Sequence, residues 1–434
     1  MEKLVYEQLN ETLYAETMSN GLRVFILPKA GFNKTYATFT TKYGSIDHHF
    51  TPIGETEAIK VPDGIAHFLE HKMFEDEEGD VFQTFSKQGA SANAFTSFTR
   101  TAYLFSSTSH VEKNMDTLLD FVQHPYFTEE SVEKEKGIIE QEIRMYEDNP
   151  DWQNFFGLLK MMYHTHPVAT DIAGTVESIQ DITHDMLYTC YHTFYHPNNM
   201  TLFVVGNVEP DAMMELIRQN QARKTFEKPT PIPRFKEEEP TGVKERELTI
   251  PMPVKLSKLL IGIKDKEQSL SGSDLMQREI AMQLLLELMF GQSSENYQTL
   301  YQEGLIDDTF GADYTAEEGF SFTAIGGDTD QPEVLSKRVL ELIEAFKEKE
   351  LDEESVERLK KKKIGHFLRA LNSPEYIANS FTRYQFNDMD LFNVIPELEA
   401  LTMDQLKEVV GQFDTDNQTS ICIIKAKEDD GSGE

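Results

Sequence analysis

Cysteine is nearly absent. Only Cys190 and Cys422 occur among 434 residues, and neither belongs to a Cys-x-x-Cys pair. That excludes a disulfide framework and reads as two buried thiols in a reducing compartment. There is also no run of eighteen apolar residues, so no membrane-spanning helix is expected. The start, Met1-Glu2-Lys3-Leu4-Val5-Tyr6-Glu7, lacks the basic beginning and apolar core of a secretory signal. The expected location is cytoplasmic. Positive charge is scarce as well: 41 Lys and Arg face 75 Asp and Glu, a net charge of -34. Such a surface repels phosphate backbones and anionic headgroups, so neither nucleic acid nor membrane is an expected partner. An acidic surface more often serves solubility than the long-range attraction of basic peptides.

What the chain does contain is enough apolar material, 39% of residues, for packed interiors, and a length that fits two or three domains. Between Glu227 and Pro240 lie Pro229, Pro231 and Pro233, then Glu237-Glu238-Glu239-Pro240. Closely spaced prolines fit neither a helix interior nor a central strand. A linker is therefore placed at 227–245, between domains over 1–226 and 246–427, with a disordered tail over 428–434.

The two halves resemble each other. Thr183-His184-Asp185 and Thr402-Met403-Asp404 are 219 residues apart, and each reads as a capped helix start. The strand-like runs from Asn199 and Asn417 are 218 apart. At an offset of about 216, His67-Phe68-Leu69-Glu70-His71 falls on Gln283-Leu284-Leu285-Leu286-Glu287. Three matches in one order at nearly one offset indicate a duplicated α+β domain in which one copy kept its polar residues.

Those residues carry the chemistry. His67 and His71 are one helical turn apart and share a face, where two imidazoles can hold one zinc ion. Glu70 lies beside that face, near enough to take a proton from a water that the metal activates. This is the inverted form of the His-Glu-x-x-His motif. Ile65, Ala66, Phe68, Leu69, Met73 and Phe74 bury the segment, and unpartnered imidazoles in such a setting are costly. The third ligand is sought on a helix read over 133–148, where Ile138, Ile139, Ile143 and Tyr146 define an apolar face. Glu135 and Glu142, two turns apart, fall within it, whereas Glu133, Glu140 and Glu147 fall on its edge or outside. One of the inward pair would be the ligand and the other its support.

Taken together, these segments resemble the pitrilysin/insulinase family of zinc peptidases, in its mitochondrial-processing-peptidase-like branch of half-length chains. The resemblance runs from Asp63–Phe74 through Gly89–Thr96, Thr101–Tyr103, Glu135–Glu142, His166-Pro167, Gly174–Ile179 and Tyr195–Met200. It implies that His67, His71 and Glu142 bind zinc, that Glu70 is the general base and that Glu135 is the supporting acid. It places Asn93 and Ala94 on an edge strand that pairs with an extended peptide substrate. From the residues alone, Ala94 fits strand packing and Asn93 a local turn bond.

One departure stands out. Active relatives carry an Arg and, seven residues on, a Tyr around a Gly-Leu pair in the second half; here Leu300 and Asp307 occupy those places. Neither supplies a cationic or phenolic donor to a developing oxyanion, and Arg383-Tyr384 is out of register, as on an ordinary helix surface. The expected partner is therefore a homologous subunit that contributes Arg and Tyr, with a homodimer as second choice. The expected fold is two related α+β domains, each a mainly antiparallel sheet with helices on one face. The expected activity is a zinc endopeptidase that cleaves unfolded or short peptides inside a chamber formed by two chains. The alternatives are a non-catalytic scaffold subunit of the same fold and a dedicated precursor-processing peptidase. His48-His49 reads as a loop pair, His164 and His166 as turn residues, and Lys360–Lys363 as a solvated stripe.

Overall fold

The computed structural model describes residues 1–76 and 79–426. The tail read as disordered, 428–434, lies outside the described residues. Two compact units account for the rest. Among the described residues, the first comprises 1–143, 171–236 and 368–386, and the second 144–170, 237–367 and 387–426. The chain changes unit between Lys236 and Glu237, within the Pro-rich stretch. It also exchanges one helical segment each way, which local periodicity does not reveal.

The first unit is built on seven strands: β1 (Glu2–Tyr6), β2 (Glu11–Thr17), β3 (Arg23–Pro28), β4 (Thr35–Thr41), β5 (Ala90–Thr96), β6 (Thr101–Ser107) and β7 (Met200–Gly206). Their order is β1-β2-β3-β7-β4-β6-β5. Every neighbouring pair is antiparallel except β3–β7. β4 and β7 are buried along their whole lengths, as the centre of a covered sheet must be. β5 is an edge, paired on one side only to β6.

The second unit repeats this plan with β8 (Glu247–Met252), β9 (Ser257–Lys264), β10 (Gly311–Glu317), β11 (Phe320–Thr329) and β12 (Thr419–Ala426). The order is β8-β12-β9-β11-β10, with β8–β12 again the one parallel pair. It reproduces β3-β7-β4-β6-β5 strand for strand. Both Thr caps form: Thr183 accepts from the Met186 N–H, and Thr402 from the Gln405 N–H, each at 3.3 Å. The fold is α+β in two related domains with mainly antiparallel sheets.

Six helices carry or support the candidate site and its counterpart in the second unit: α1 (Ile65–Lys72), α2 (Glu129–Glu147), α3 (Pro150–Met162), α4 (Gly272–Phe290), α5 (Glu353–Ala370) and α6 (Pro374–Phe386). The exchanged helices are α3 and α6. α3 packs so closely on the second sheet that a side chain at Gly262 would place its first carbon 2.5 Å from Met162 Sδ. α6 covers the first sheet through Phe381, whose ring lies 4.8 Å from Phe25 and 4.4 Å from Phe203. Among the described residues, no helix is long and apolar enough to cross a membrane.

Two details differ from expectation. Ile138 does not join the inward face of α2; it is 47% exposed, and the buried stripe is Val132, Glu135, Lys136, Ile139 and Ile143. That stripe steps by three or four residues, and the apolar identity of Ile138 does not override its phase. Nor is Lys360–Lys363 wholly solvated, because Lys360 is buried and donates to the Leu401 carbonyl at 2.6 Å. Its counterpart in the first unit is Lys136, which donates to the Gln180 carbonyl at 2.9 Å.

Candidate metal centre

α1 begins at Gly64, whose φ of 87° is open to glycine at little cost. A side chain there would also put its first carbon 2.3 Å from the Ala173 carbonyl oxygen. The neighbouring Asp63 carbonyl accepts from Ser178 Oγ at 2.8 Å. The helix start is thus fastened to the turn at Ala173 and to the short helix Val176–Gln180 that follows it, which fixes where its next two turns point. At the other end, Lys72 is fully buried (0% exposed). Its ammonium bonds to Glu75 and to the Ser131 carbonyl at 3.3 Å, in the first turn of α2. Sequence reasoning does not single out Lys72. Its tie sets α1 against the helix that carries both candidate acids.

Between these anchors, His67, His71 and Glu142 converge. Each offers a ligand atom, and the three atoms lie within 4.8 Å of one another. Among the described residues this is the one such group of His, Cys, Asp and Glu. Glu142 Oε2 is 3.8 Å from His67 Nε2 and 3.5 Å from His71 Nε2. Those separations are too long for hydrogen bonds. They match donors gathered around a tetrahedral ion, whose ligands at 2.0–2.2 Å sit about 3.4 Å apart. Burial presses the His67 imidazole down to about 4, so at neutral pH it is in the uncharged form that a metal takes. Among the described residues, the buried His67 Nδ1 has no hydrogen-bond partner. Two imidazoles and one carboxylate are a donor set that zinc accepts, so the residues fit the ion.

Helical phase leaves two inward acids open, and the structure separates their positions. Glu135 is buried, and its Oε1 lies 3.0 Å from His71 Nδ1. That contact assigns the proton to Nδ1 and turns Nε2 toward Glu142. Burial alone would lower the His71 pKa, but the bond to Glu135 and the nearby Glu70 and Glu142 charges raise it. Burial alone would raise Glu135, and the His71 bond lowers it instead.

Glu70 lies near His71 and Glu142, which act on its charge, and is bonded to β5. Its Oε2 accepts from Thr96 Oγ1 at 2.7 Å. Burial raises its pKa, opposed by that same bond. Sequence reasoning misses Thr96, although a signal is present. It lies two residues beyond Ala94, on the same strand face. On the free edge of β5, the Ala94 N–H donates to the Asn93 side-chain oxygen at 3.0 Å, the local bond expected of Asn93. In the second unit, Leu300 is fully buried, and Asp307 accepts from the Thr309 N–H at 2.8 Å in a turn. Both serve local structure.

Comparison with known proteins identifies the family. A family model described as "Insulinase (Peptidase family M16)" matches residues 53–176, and "Peptidase M16 inactive domain" matches residues 181–363. The chain is 56% identical to "Uncharacterized zinc protease YmfH" of Bacillus subtilis, over 98% of this chain and all of that protein. It is 24% identical to "Zinc protease PqqE" of Helicobacter pylori, over 94% and 92% of the two chains. A crystal structure of a putative M16-like peptidase from Alicyclobacillus acidocaldarius superposes with a TM-score of 0.93 at 40% identity, covering 96% of this chain and 99% of that one. With agreement of this extent along both halves, the chain belongs to the insulinase family of peptidases.

Proposed function

We propose that this protein is a zinc-dependent endopeptidase acting on extended peptides. The observation that carries the reading is the convergence of His67, His71 and Glu142 beside a Glu70 that is held by a different partner. His67, His71 and Glu142 would hold the ion, and Glu135 would orient His71. Zinc, when bound, supplies Lewis acidity to the attacking water and the scissile carbonyl. Glu70 is the general base: with Oε2 occupied by Thr96, Oε1 takes the proton from the water and later delivers it to the leaving amine. Asn93 and Ala94 lie on the free edge of β5, where an unfolded or short peptide would add as a further strand. The Asn93 side chain must then release the Ala94 N–H.

By the family resemblance, Leu300 and Asp307 stand where active relatives commonly carry Arg and Tyr; here Leu300 is buried and Asp307 accepts from the Thr309 N–H in a turn. This favours a homologous partner chain that supplies the missing donors and closes a chamber. The test is zinc analysis and hydrolysis of a quenched peptide library, with the chain alone and together with a homologous chain encoded beside it. Stoichiometric zinc with hydrolysis only in the pair, lost in Glu70→Gln, is the expected result. Strong activity alone removes the partner requirement. Absence of zinc and of hydrolysis in both preparations favours a scaffold subunit.

A further inference from the structure

We infer that Thr96 is the positioning residue for Glu70, linking the strand that seats the peptide to the group that moves the proton. The inference rests on the peptidase reading above. Three observations carry it.

The first is direct. Thr96 Oγ1 donates to Glu70 Oε2 at 2.7 Å, and no other hydrogen bond to the Glu70 carboxylate is found among the described residues. The remaining oxygen therefore has its direction set by this hydroxyl.

The second is that Thr96 is held firmly. It stands at the last position of β5, directly opposite Thr101 of β6. Thr101 is fully buried, and its hydroxyl donates to the Tyr43 carbonyl at 2.9 Å. The turn after β5 closes with the Ser97 N–H on the Arg100 carbonyl at 2.8 Å. It is clamped from outside, because the Ser45 and Ile46 N–H groups donate to the Ser97 and Phe98 carbonyls, each at 3.1 Å. Gly44 permits the approach: a side chain there would lie 2.3 Å from the Phe98 oxygen. The seat of Thr96 is fixed by backbone, not by a mobile side chain.

The third is its place in the strand. Thr96 is two residues from Ala94, on the edge where a peptide would pair, so seating a substrate tightens the strand that aims Glu70. A rotation of the Glu70 side chain away from the water costs reactivity without costing peptide affinity.

The test uses the full-length protein, in whichever preparation hydrolyses peptides, with Thr96→Val and Thr96→Ser. Zinc affinity is measured in parallel by competition with a chromophoric chelator. Thr96→Val is expected to lower kcat by about tenfold to a hundredfold, the loss expected from one hydrogen bond to a charged group. KM and zinc affinity should stay within about twofold of wild type, and Thr96→Ser should restore most of kcat. If Thr96→Val does not fold, Thr96→Ala gives the same readouts. An unchanged kcat in the Val or Ala variant overturns the inference. So does a parallel loss of zinc affinity, which would mark a general structural role. Absence of hydrolysis by the wild type in every preparation overturns the peptidase reading and this inference together.

Discussion

The first unit places His67, Glu70 and His71 on α1, whereas the second places Gln283, Leu286 and Glu287 at the matching positions of α4. The facing helices differ in the same way. Ser131-Val132-Glu133 of α2 recurs 224 residues later as Ser355-Val356-Glu357 of α5, which sets Leu359 opposite Glu135 and His366 opposite Glu142. In the second unit, Glu287, which stands in the place of His71, is paired with the Lys362 ammonium at 2.6 Å. Meanwhile the strand order and the buried Lys136 and Lys360 ties are retained. The frame persists without the chemistry, and the chemistry resides in a few side chains hung on it.

The sharpest way to break this comparison is to remove the base from one unit and, from the other, the acid that stands in the place of His71. Glu70→Gln is expected to lower kcat by about 10²- to 10⁴-fold with zinc retained, whereas Glu287→Gln leaves peptide hydrolysis within about twofold. Equal losses from the two would contradict an asymmetric pair. Next in size is the support of His71. Glu135→Gln is expected to weaken zinc binding by about tenfold to a hundredfold, read by chelator competition, and an unchanged affinity would remove Glu135 from the site.

A third prediction concerns the second unit alone. The Glu239 side chain is 7% exposed. Burial would raise its pKa, but the N–H groups of His164, Thr165 and His166 and the Lys264 ammonium hold it at about 2. A depressed folded-state value contributes stability above the unfolded-state value near 4.5, and that contribution is lost as pH falls toward 2. Its size, allowing for solvent screening, is on the order of 2 kcal/mol. Glu239→Gln should therefore destabilise the protein at pH 7 and match wild type progressively as pH falls below about 4.5. Trp152 is the single tryptophan and lies in the second unit, so its fluorescence in urea reads the effect. A gap that persists at about pH 2 would refute the assignment. The smallest expected difference is between Lys136→Met and Lys360→Met. Each should cost about 1–3 kcal/mol through an orphaned carbonyl, seen as faster amide exchange in its own unit. Markedly unequal costs would mean that the shared tie is superficial.

Much of the site is legible in the sequence because its spacing is local. His67, Glu70 and His71 lie within two turns of one helix, and Glu135 and Glu142 repeat on another. The duplication is legible because caps and strands recur at nearly one offset. What sequence periodicity does not supply is contact between distant segments. Nothing within α1 points to Thr96 as the partner of Glu70, or to the Ser131 carbonyl as that of Lys72. The exchange of α3 and α6 is hidden for the same reason: a helical pattern reports its own apolar face, not the sheet that the face will meet. Ile138 and Lys360 show the converse, since residue type points one way and helical phase the other.

The exchange of α6 sets a timetable for synthesis. The strands of the first sheet are complete at Gly206, yet the Phe381 ring that meets Phe25 and Phe203 is made 175 residues later. At ribosomal speeds of about 5–20 residues per second, that interval is roughly 9–35 s. For that time the nascent sheet has an apolar surface without its cover, in a crowded setting where chaperones and other unfinished chains compete for it.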